Sequence, residues 1–242
     1  MLNKKEIKDI QSLSQKKFRE SLGLFVAEGP KIVAELAAAA PRQVQQVFAV
    51  KEWIETNREL AATFQAITIT SQELERLSQL QTPNQVLAVL KTFEPAKPIP
   101  GTFTLYLDTI QDPGNLGTII RIADWFGIRQ LVCSAGCADR YSSKVVQSTM
   151  ASLARVAVYE DLEGNWLAAQ AAPKYAAVLN GTSLYGHPKT NKGILMIGNE
   201  SKGLRPEFLA LATEKITIPR VGEAESLNAA VATGIILSHL LS

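Results

Sequence analysis

The sequence predicts an α/β protein of two domains, the larger built on a parallel sheet. Three observations carry this. From residue 104 onward, short apolar runs alternate with amphipathic helical stretches, the pattern of parallel strands joined by covering helices. In TFEPAKPIPG, Pro95, Pro98 and Pro100 crowd together and Gly101 closes the run, a seam dividing the chain into about 95 and about 140 residues. The chain of 242 residues is 46% hydrophobic and 20% charged, which excludes a disordered or collagen-like polymer. A globular chain of that size buries about 70% of its surface and needs no staple.

Taken in order, KKEIKDIQSLSQKKFRESL reads as helix and LFVA as a short strand. Gly29 and Pro30 open the helix KIVAELAAAA, and the strands VQQVFAV, AITIT and VLAVL follow with helical pieces between them. This is a small α/β domain over 1–95, followed by a Pro-rich linker over 96–101. In the second domain, 102–242, the predicted strands are TLYLD, RQLVC, RVAVY, YAAVLN, GILMI and EKITI. Its helices are LGTIIRIADWF, SKVVQSTMA, NWLAAQAA, PEFLALA and the closing SLNAAVATGIILSHLL. In such sheets ligands bind beyond the carboxyl ends of the strands, so the loops after LYLD, AVLN, LMI and TIP are where chemistry is expected.

Charge and cysteines narrow the class. The net charge of +2 announces no polyanionic partner, yet residues 1–22 hold six Lys/Arg against three acids, read equally as a solvated helix face or an RNA-binding one. Cys133 and Cys137, with only His187 and His239 besides, make neither a disulfide framework nor a standard four-ligand zinc site, so no metal and a reduced, cytoplasmic setting are expected. MLNKKEIKDIQ lacks the apolar stretch of a signal peptide. The apolar C-terminal run is interrupted by Ser226, Asn228, Thr233, Ser238 and His239, which predicts a buried helix and no membrane span.

Three loops concentrate the remaining signal. In the first, Asp112-Pro113-Gly114 is a turn, Asn115 a candidate N-cap and Gly127 a candidate C′ residue. Leu116, Ile119, Ile120, Ala123 and Phe126 share one helix face, leaving Gly117, Arg121 and Asp124 on the other; an Arg121–Asp124 ion pair is the plain structural alternative to a functional Arg121. The second loop, Ile197 to Leu204, has Gly198 and Gly203 at phosphate-loop spacing, but Leu204 stands where that loop needs lysine. Asn199 or Ser201 then reads as an N-cap, with Glu200 near a helix dipole. In the third, Pro219 stops EKITI and Ser226 is positioned to cap the last helix, whose apolar circumference fits a core helix or a dimer interface.

In order and content, the three loops resemble the SpoU/TrmH family of RNA 2′-O-ribose methyltransferases, within the SPOUT superfamily. The family's first motif is matched by Asn115, Gly117 and Arg121; its second by Ile197, Gly198, Glu200, Gly203 and Leu204; its third by Ile218, Pro219, Ser226, Leu227 and Asn228. The segment Phe25-Val-Ala-Glu-Gly29 resembles the start of the ribosomal-protein-like RNA-binding domain many members carry. Ser201 and Arg220 depart from the pattern, predicting a strained second loop and altered substrate contacts.

The resemblance implies a C-terminal SPOUT α/β-knot, a trefoil-knotted parallel sheet, preceded by a small N-terminal α/β RNA substrate-binding domain. It implies S-adenosylmethionine as cofactor, held by Asn180, Gly198, Ile218 and Leu227, and catalysis by Asn115, Arg121, Glu200 and Asn228. It further implies a homodimer through the C-terminal domain and an RNA substrate, rRNA in preference to tRNA, with Lys4, Lys5, Lys16, Lys17 and Arg19 as candidate phosphate contacts. A noncatalytic RNA-binding member of the same fold and a base-directed RNA methyltransferase are the alternatives.

Overall fold

The structure is a computed structural model that describes residues 2–94 and 97–241. Pro95 and Ala96, where the expected seam begins, lie outside the described residues. The elements run α1 (Lys4–Ser12), α2 (Lys16–Leu22), β1 (Leu24–Glu28), α3 (Pro30–Ala39), β2 (Val44–Ala49), α4 (Lys51–Thr56), α5 (Arg58–Thr63), β3 (Ile67–Thr68), α6 (Ser71–Leu77) and β4 (Val86–Lys91). They continue with β5 (Thr104–Leu107), α7 (Pro113–Trp125), β6 (Gln130–Ser134), α8 (Ser143–Thr149), β7 (Ala157–Asp161), α9 (Asn165–Ala169), β8 (Lys174–Ser183), β9 (Ile194–Ile197), α10 (Pro206–Leu209), β10 (Glu214–Thr217) and α11 (Ala229–Leu241). They gather into two compact units, one holding residues up to Glu94 together with Asp139–Ala154, the other residues 97–138 and Arg155 onward.

The first unit is a four-stranded sheet in the order β1-β4-β2-β3, antiparallel except where β2 meets β3. The single helix expected over 4–22 is two. The Ser12 hydroxyl donates to the Asp9 carbonyl and that of Ser14 to the Gln11 carbonyl, bonds that compete with the helix ladder and end it. Arg19 is 5% exposed, donates to the Leu13 carbonyl at 2.7 Å and pairs with Asp139, so its guanidinium is enclosed inside the unit and Arg19 leaves the set of candidate phosphate contacts. Residues 139–154, which a division at the Pro-rich seam assigns to the second domain, pack here instead. Tyr141 lies 4.8 Å from Phe25 between ring centroids, Gln147 donates to the Glu28 carbonyl, and Val145 and Val146 of α8 are buried.

The second unit holds a six-stranded sheet in the order β10-β8-β9-β5-β6-β7, with every pair parallel among the described residues. The central strand β5 is buried at all four positions, as a strand covered on both faces must be. Because the strands are parallel, their carboxyl ends share one edge, and the three motif loops follow β5, β9 and β10 there. Helix α7 buries Leu116, Ile119, Ile120 and Ala123 as the periodicity predicts; each of the larger three contributes about 1.5–3 kcal/mol. Gly127 adopts φ +70° just past its C-cap, as expected. Gly117, expected on the open face, is buried, and α11 packs against α7. No described helix is long and apolar enough to cross a membrane.

Candidate active site

The first loop leaves β5 through Thr109 and enters α7 at Pro113. Asp112, not Asn115, is the N-cap: its carboxylate accepts the Asn115 N–H at 2.8 Å, and Pro113 supplies the φ that the first helical position requires. Asn115 therefore lies within the first turn, and its side chain is available for longer-range bonds. Arg121 follows six residues later, exposed, about 9 Å further along the helix axis at the usual rise per residue. Asp124 accepts instead from Arg155 Nε at 2.7 Å.

The second loop turns back on itself. Asn199 and Gly203 exchange backbone hydrogen bonds of 3.0 and 2.8 Å, while Asn199 Oδ1 accepts the N–H groups of Ser201 and Lys202. A Cβ on Gly198 would stand 2.2 Å from the Gly203 carbonyl carbon, so this close approach admits glycine alone. The positive φ the turn needs falls on Gly203, at +70°, and Ser201 is not among the residues in that region; its departure from the family pattern strains nothing. No helix starts at 199–201, because the chain becomes helical only at Pro206, so the expected N-cap role of Asn199 or Ser201 and dipole role of Glu200 are not met. Glu200 is half-buried and accepts from Asn115 Nδ2 at 2.6 Å.

In the third loop the expected Ser226 cap is displaced by Asn228. Its Oδ1 accepts the N–H groups of Ala230 and Val231 at 2.9 and 3.2 Å, and its Nδ2 donates to Asn115 Oδ1 at 2.8 Å. These bonds fix the direction of the whole chain. With Oδ1 committed to backbone donors, Asn228 has only its amide nitrogen to offer Asn115, which must then present its own nitrogen to the acceptor-only carboxylate of Glu200. Three loops distant in sequence thus meet at Asn115. Arg220 Nη1 closes the same loop onto the Ala224 carbonyl at 3.2 Å.

Of the sequence-predicted cofactor residues, Gly198 follows β9 and Ile218 follows β10, and β8 lies between those strands in the sheet. Asn180 is exposed within a break in register, where Ala176 pairs Lys215 and Thr182 already pairs Ile216. Leu227 is 46% exposed beside Asn228. Arg121 shares α7 with Asn115, and the structure shows no bond from its guanidinium to Asn115, Glu200 or Asn228. Sequence reasoning missed Asp108, a fully buried carboxylate at the end of β5; the signal was an acid closing an otherwise apolar strand.

A parallel sheet whose three motif loops converge beyond its carboxyl ends defines an α/β protein with one candidate site at that edge. Comparison with known proteins makes this specific. Residues 102–238 match the SpoU rRNA Methylase family, and residues 4–88 match the MRM3-like substrate binding domain. The chain belongs to the SpoU rRNA methylase family. It is 31% identical over 239 residues to the 23S rRNA (guanosine(2553)-2′-O)-methyltransferase RlmP of Bacillus subtilis, covering 97% of this chain and 95% of that protein. A solved structure from Porphyromonas gingivalis, assigned to the TrmH family of RNA methyltransferases, superposes with a TM-score of 0.88 at 36% identity, covering 99% of this chain and 98% of the other. An AdoMet-bound rRNA methyltransferase from Sinorhizobium meliloti superposes at 0.84 with 28% identity, covering 99% and 95%.

Proposed function

We propose that the three loops form the site at which a methyl group passes from S-adenosylmethionine to a ribose 2′-hydroxyl of a structured RNA, ribosomal in preference to transfer RNA. The observation that carries this reading is the bond chain Asn228–Asn115–Glu200 in a member of the SpoU family. The chain is an S-adenosylmethionine-dependent RNA ribose methyltransferase, and its likeness to the B. subtilis 23S rRNA enzyme over nearly its whole length supports rRNA. Work on rRNA in turn fits a cytoplasmic protein.

The residues present suit the cofactor. Half-buried Ile218 and exposed Leu227 offer apolar surface beside turns, and Gly198 brings backbone close to the same edge of the sheet, which is what an adenine face with polar edges requires. Asn180, Gly198, Ile218 and Leu227 would hold it. When bound, S-adenosylmethionine supplies a methyl group on a positively charged sulfur, open to in-line displacement. Arg121 stabilises the negative charge developing on the ribose oxygen; a guanidinium rarely yields its proton, so phosphate or water accepts the one the hydroxyl loses. Asn115, Glu200 and Asn228 are assigned to orienting the RNA and the Arg121 fork, with the Glu200 carboxylate, which Asn115 holds in place, as the group able to receive a guanidinium.

The same reading takes the six-stranded sheet as the trefoil-knotted SPOUT domain, within 102–242 but with residues 139–154 packed on the first unit, and the first 95 residues as the RNA-gripping domain, joined through 96–101. It takes the working form as a homodimer, in keeping with exposed Trp125 on α7 and Val231 on α11. The test is incubation of the purified protein with rRNA and methyl-tritiated S-adenosylmethionine, followed by nucleoside analysis. Label is expected in a 2′-O-methyl nucleoside; label confined to methylated bases, or no transfer, would refute the reading.

A further inference from the structure

Asp108 is fully buried, and both its carboxylate oxygens are committed. Oδ1 accepts from the Ser134 hydroxyl at 2.9 Å, the Thr109 hydroxyl at 3.0 Å and Arg205 Nε at 2.9 Å; Oδ2 accepts the Arg205 N–H at 2.8 Å. A carboxylate so enclosed and saturated has no oxygen to offer an RNA or a cofactor, so it is neither base nor ligand. Its partners are the informative feature. Thr109 opens the loop that leads to Asn115, and Arg205 ends the loop that carries Glu200.

The two loops are laced together at three levels. Asp108 binds Arg205 at the base, the Asn199 side-chain amide donates to the Thr109 carbonyl at 2.9 Å in the middle, and Asn115 meets Glu200 at 2.6 Å at the top. Thr109 itself has φ +57°, an outlier for a β-branched residue, which persists only where its surroundings over-determine it. They do so here: its N–H donates to the Ser134 hydroxyl at 3.1 Å, its carbonyl accepts from Asn199, its hydroxyl donates to Asp108, and its methyl leaves room only for glycine at 136, where a Cβ would approach to 2.7 Å. Arg205 is held from the other side by the Phe208 ring, 4.4 Å from the guanidinium carbon to the ring centroid.

We propose that Asp108 is a positioning residue for methyl transfer, which through Arg205 and Thr109 sets the register of the loop bearing Asn115 against the loop bearing Glu200. The proposal rests on the reading of those two residues as site residues. Asp108→Asn removes the buried charge along with its ion pair, whereas Arg205→Met leaves that charge without its cation, so thermal melts of each variant separate loss of register from loss of folding.

The test compares Asp108→Asn, Arg205→Met and the double variant, with turnover expressed per S-adenosylmethionine site counted by calorimetry, beside Glu200→Gln as reference. In Asp108→Asn an amide of mixed polarity faces donors that all require an acceptor. Turnover is expected to fall by about tenfold to 100-fold in each single variant, the loss that a displacement of about 1 Å produces, with the KM for RNA held within about threefold. The double variant is expected to be no slower than the slower single one, since both remove one link. Should Asp108→Asn not fold, Arg205→Met carries the same expectation from the accessible partner. Wild-type turnover per counted site in these variants, with Glu200→Gln impaired, would overturn this proposal alone; wild-type turnover in Glu200→Gln as well would overturn the site reading beneath it.

Discussion

Asn228 caps the last helix with its Oδ1 and, through Nδ2, donates to Asn115 at 2.8 Å across 113 positions of chain. One side chain thus serves a local structural need and a long-range one, and the two are separable by substitution. Asn228→Ala loses both, costing about 1 kcal/mol of helix capping and lowering Tm by about 2–4 °C for a chain of this size. Asn228→Ser retains a capping oxygen and most of that stability but is too short to reach Asn115. Both variants are expected to lose about fivefold to tenfold in turnover, the worth of one net hydrogen bond; thermal melts and methyl-transfer rates measured together check it, and a Ser variant with full turnover counts against the link.

Gly198→Ala tests the second loop. Its Cβ would press within 2.3 Å of the Leu204 nitrogen, so the backbone of the turn must move. We expect S-adenosylmethionine binding, measured by calorimetry, to weaken by about tenfold or more, corresponding to about 1.4 kcal/mol. Unchanged affinity would remove Gly198 from the cofactor residues.

The first unit divides its basic residues into two groups. Arg19, with a side chain 6% exposed and paired to Asp139, is structural; Arg19→Ala removes the cation from a partly buried carboxylate and is expected to cost about 1–3 kcal/mol in urea unfolding. Lys4, Lys5, Lys16 and Lys17 are exposed, and each one that contacts phosphate should lower the salt dependence of RNA affinity by about one unit of slope when changed to Ala. A slope unaltered by all four lysine changes would exclude them from the RNA surface.

Glu28 sets a pH dependence. Burial pushes its carboxyl above the ordinary value of 4.5, outweighing the bonds from Ser78 and the Gln79 N–H. Above 4.5 and up to the raised folded-state value, the unfolded chain has released the proton while the folded chain retains it, so stability falls as pH rises through that window. Unfolding free energies compared between wild type and Glu28→Gln should therefore show wild type losing ground as pH rises above the ordinary carboxyl value. One retained proton limits the slope to about 1.4 kcal/mol per pH unit, and the loss levels off once the folded-state carboxyl has ionised. A gain with rising pH would contradict the sign.

The sequence made some of this legible and concealed the rest for physical reasons. Helical spacing marked Leu116, Ile119, Ile120 and Ala123 as core, and strand-helix alternation marked the loops after LYLD, LMI and TIP as lying on one edge of a parallel sheet. Cap assignment failed twice in the same way: Asp112 and Asn115 are both good caps, as are Ser226 and Asn228, and only the position of the first helical φ decides between them. Pairings across the chain leave no local trace. Nothing near Arg19 points to Asp139, and nothing in the periodicity of Ser143–Thr149 says that α8 packs on β1 and not in the sheet that flanks it in sequence. Asp108 was passed over because the partner that explains it, Arg205, lies 97 positions away.

Asn115, where the three loops meet, is the residue on which the proposed methyl transfer should depend most directly. Asn115→Leu keeps the size of the side chain and a good helix former while removing both its donor and its acceptor. Single-turnover methyl transfer to rRNA, at saturating S-adenosylmethionine and with binding stoichiometry verified, is predicted to slow by about 100-fold, since a hydrogen bond to a charged group and its neighbour are lost together. Transfer at the wild-type rate by a fully loaded Asn115→Leu protein would contradict the central claim.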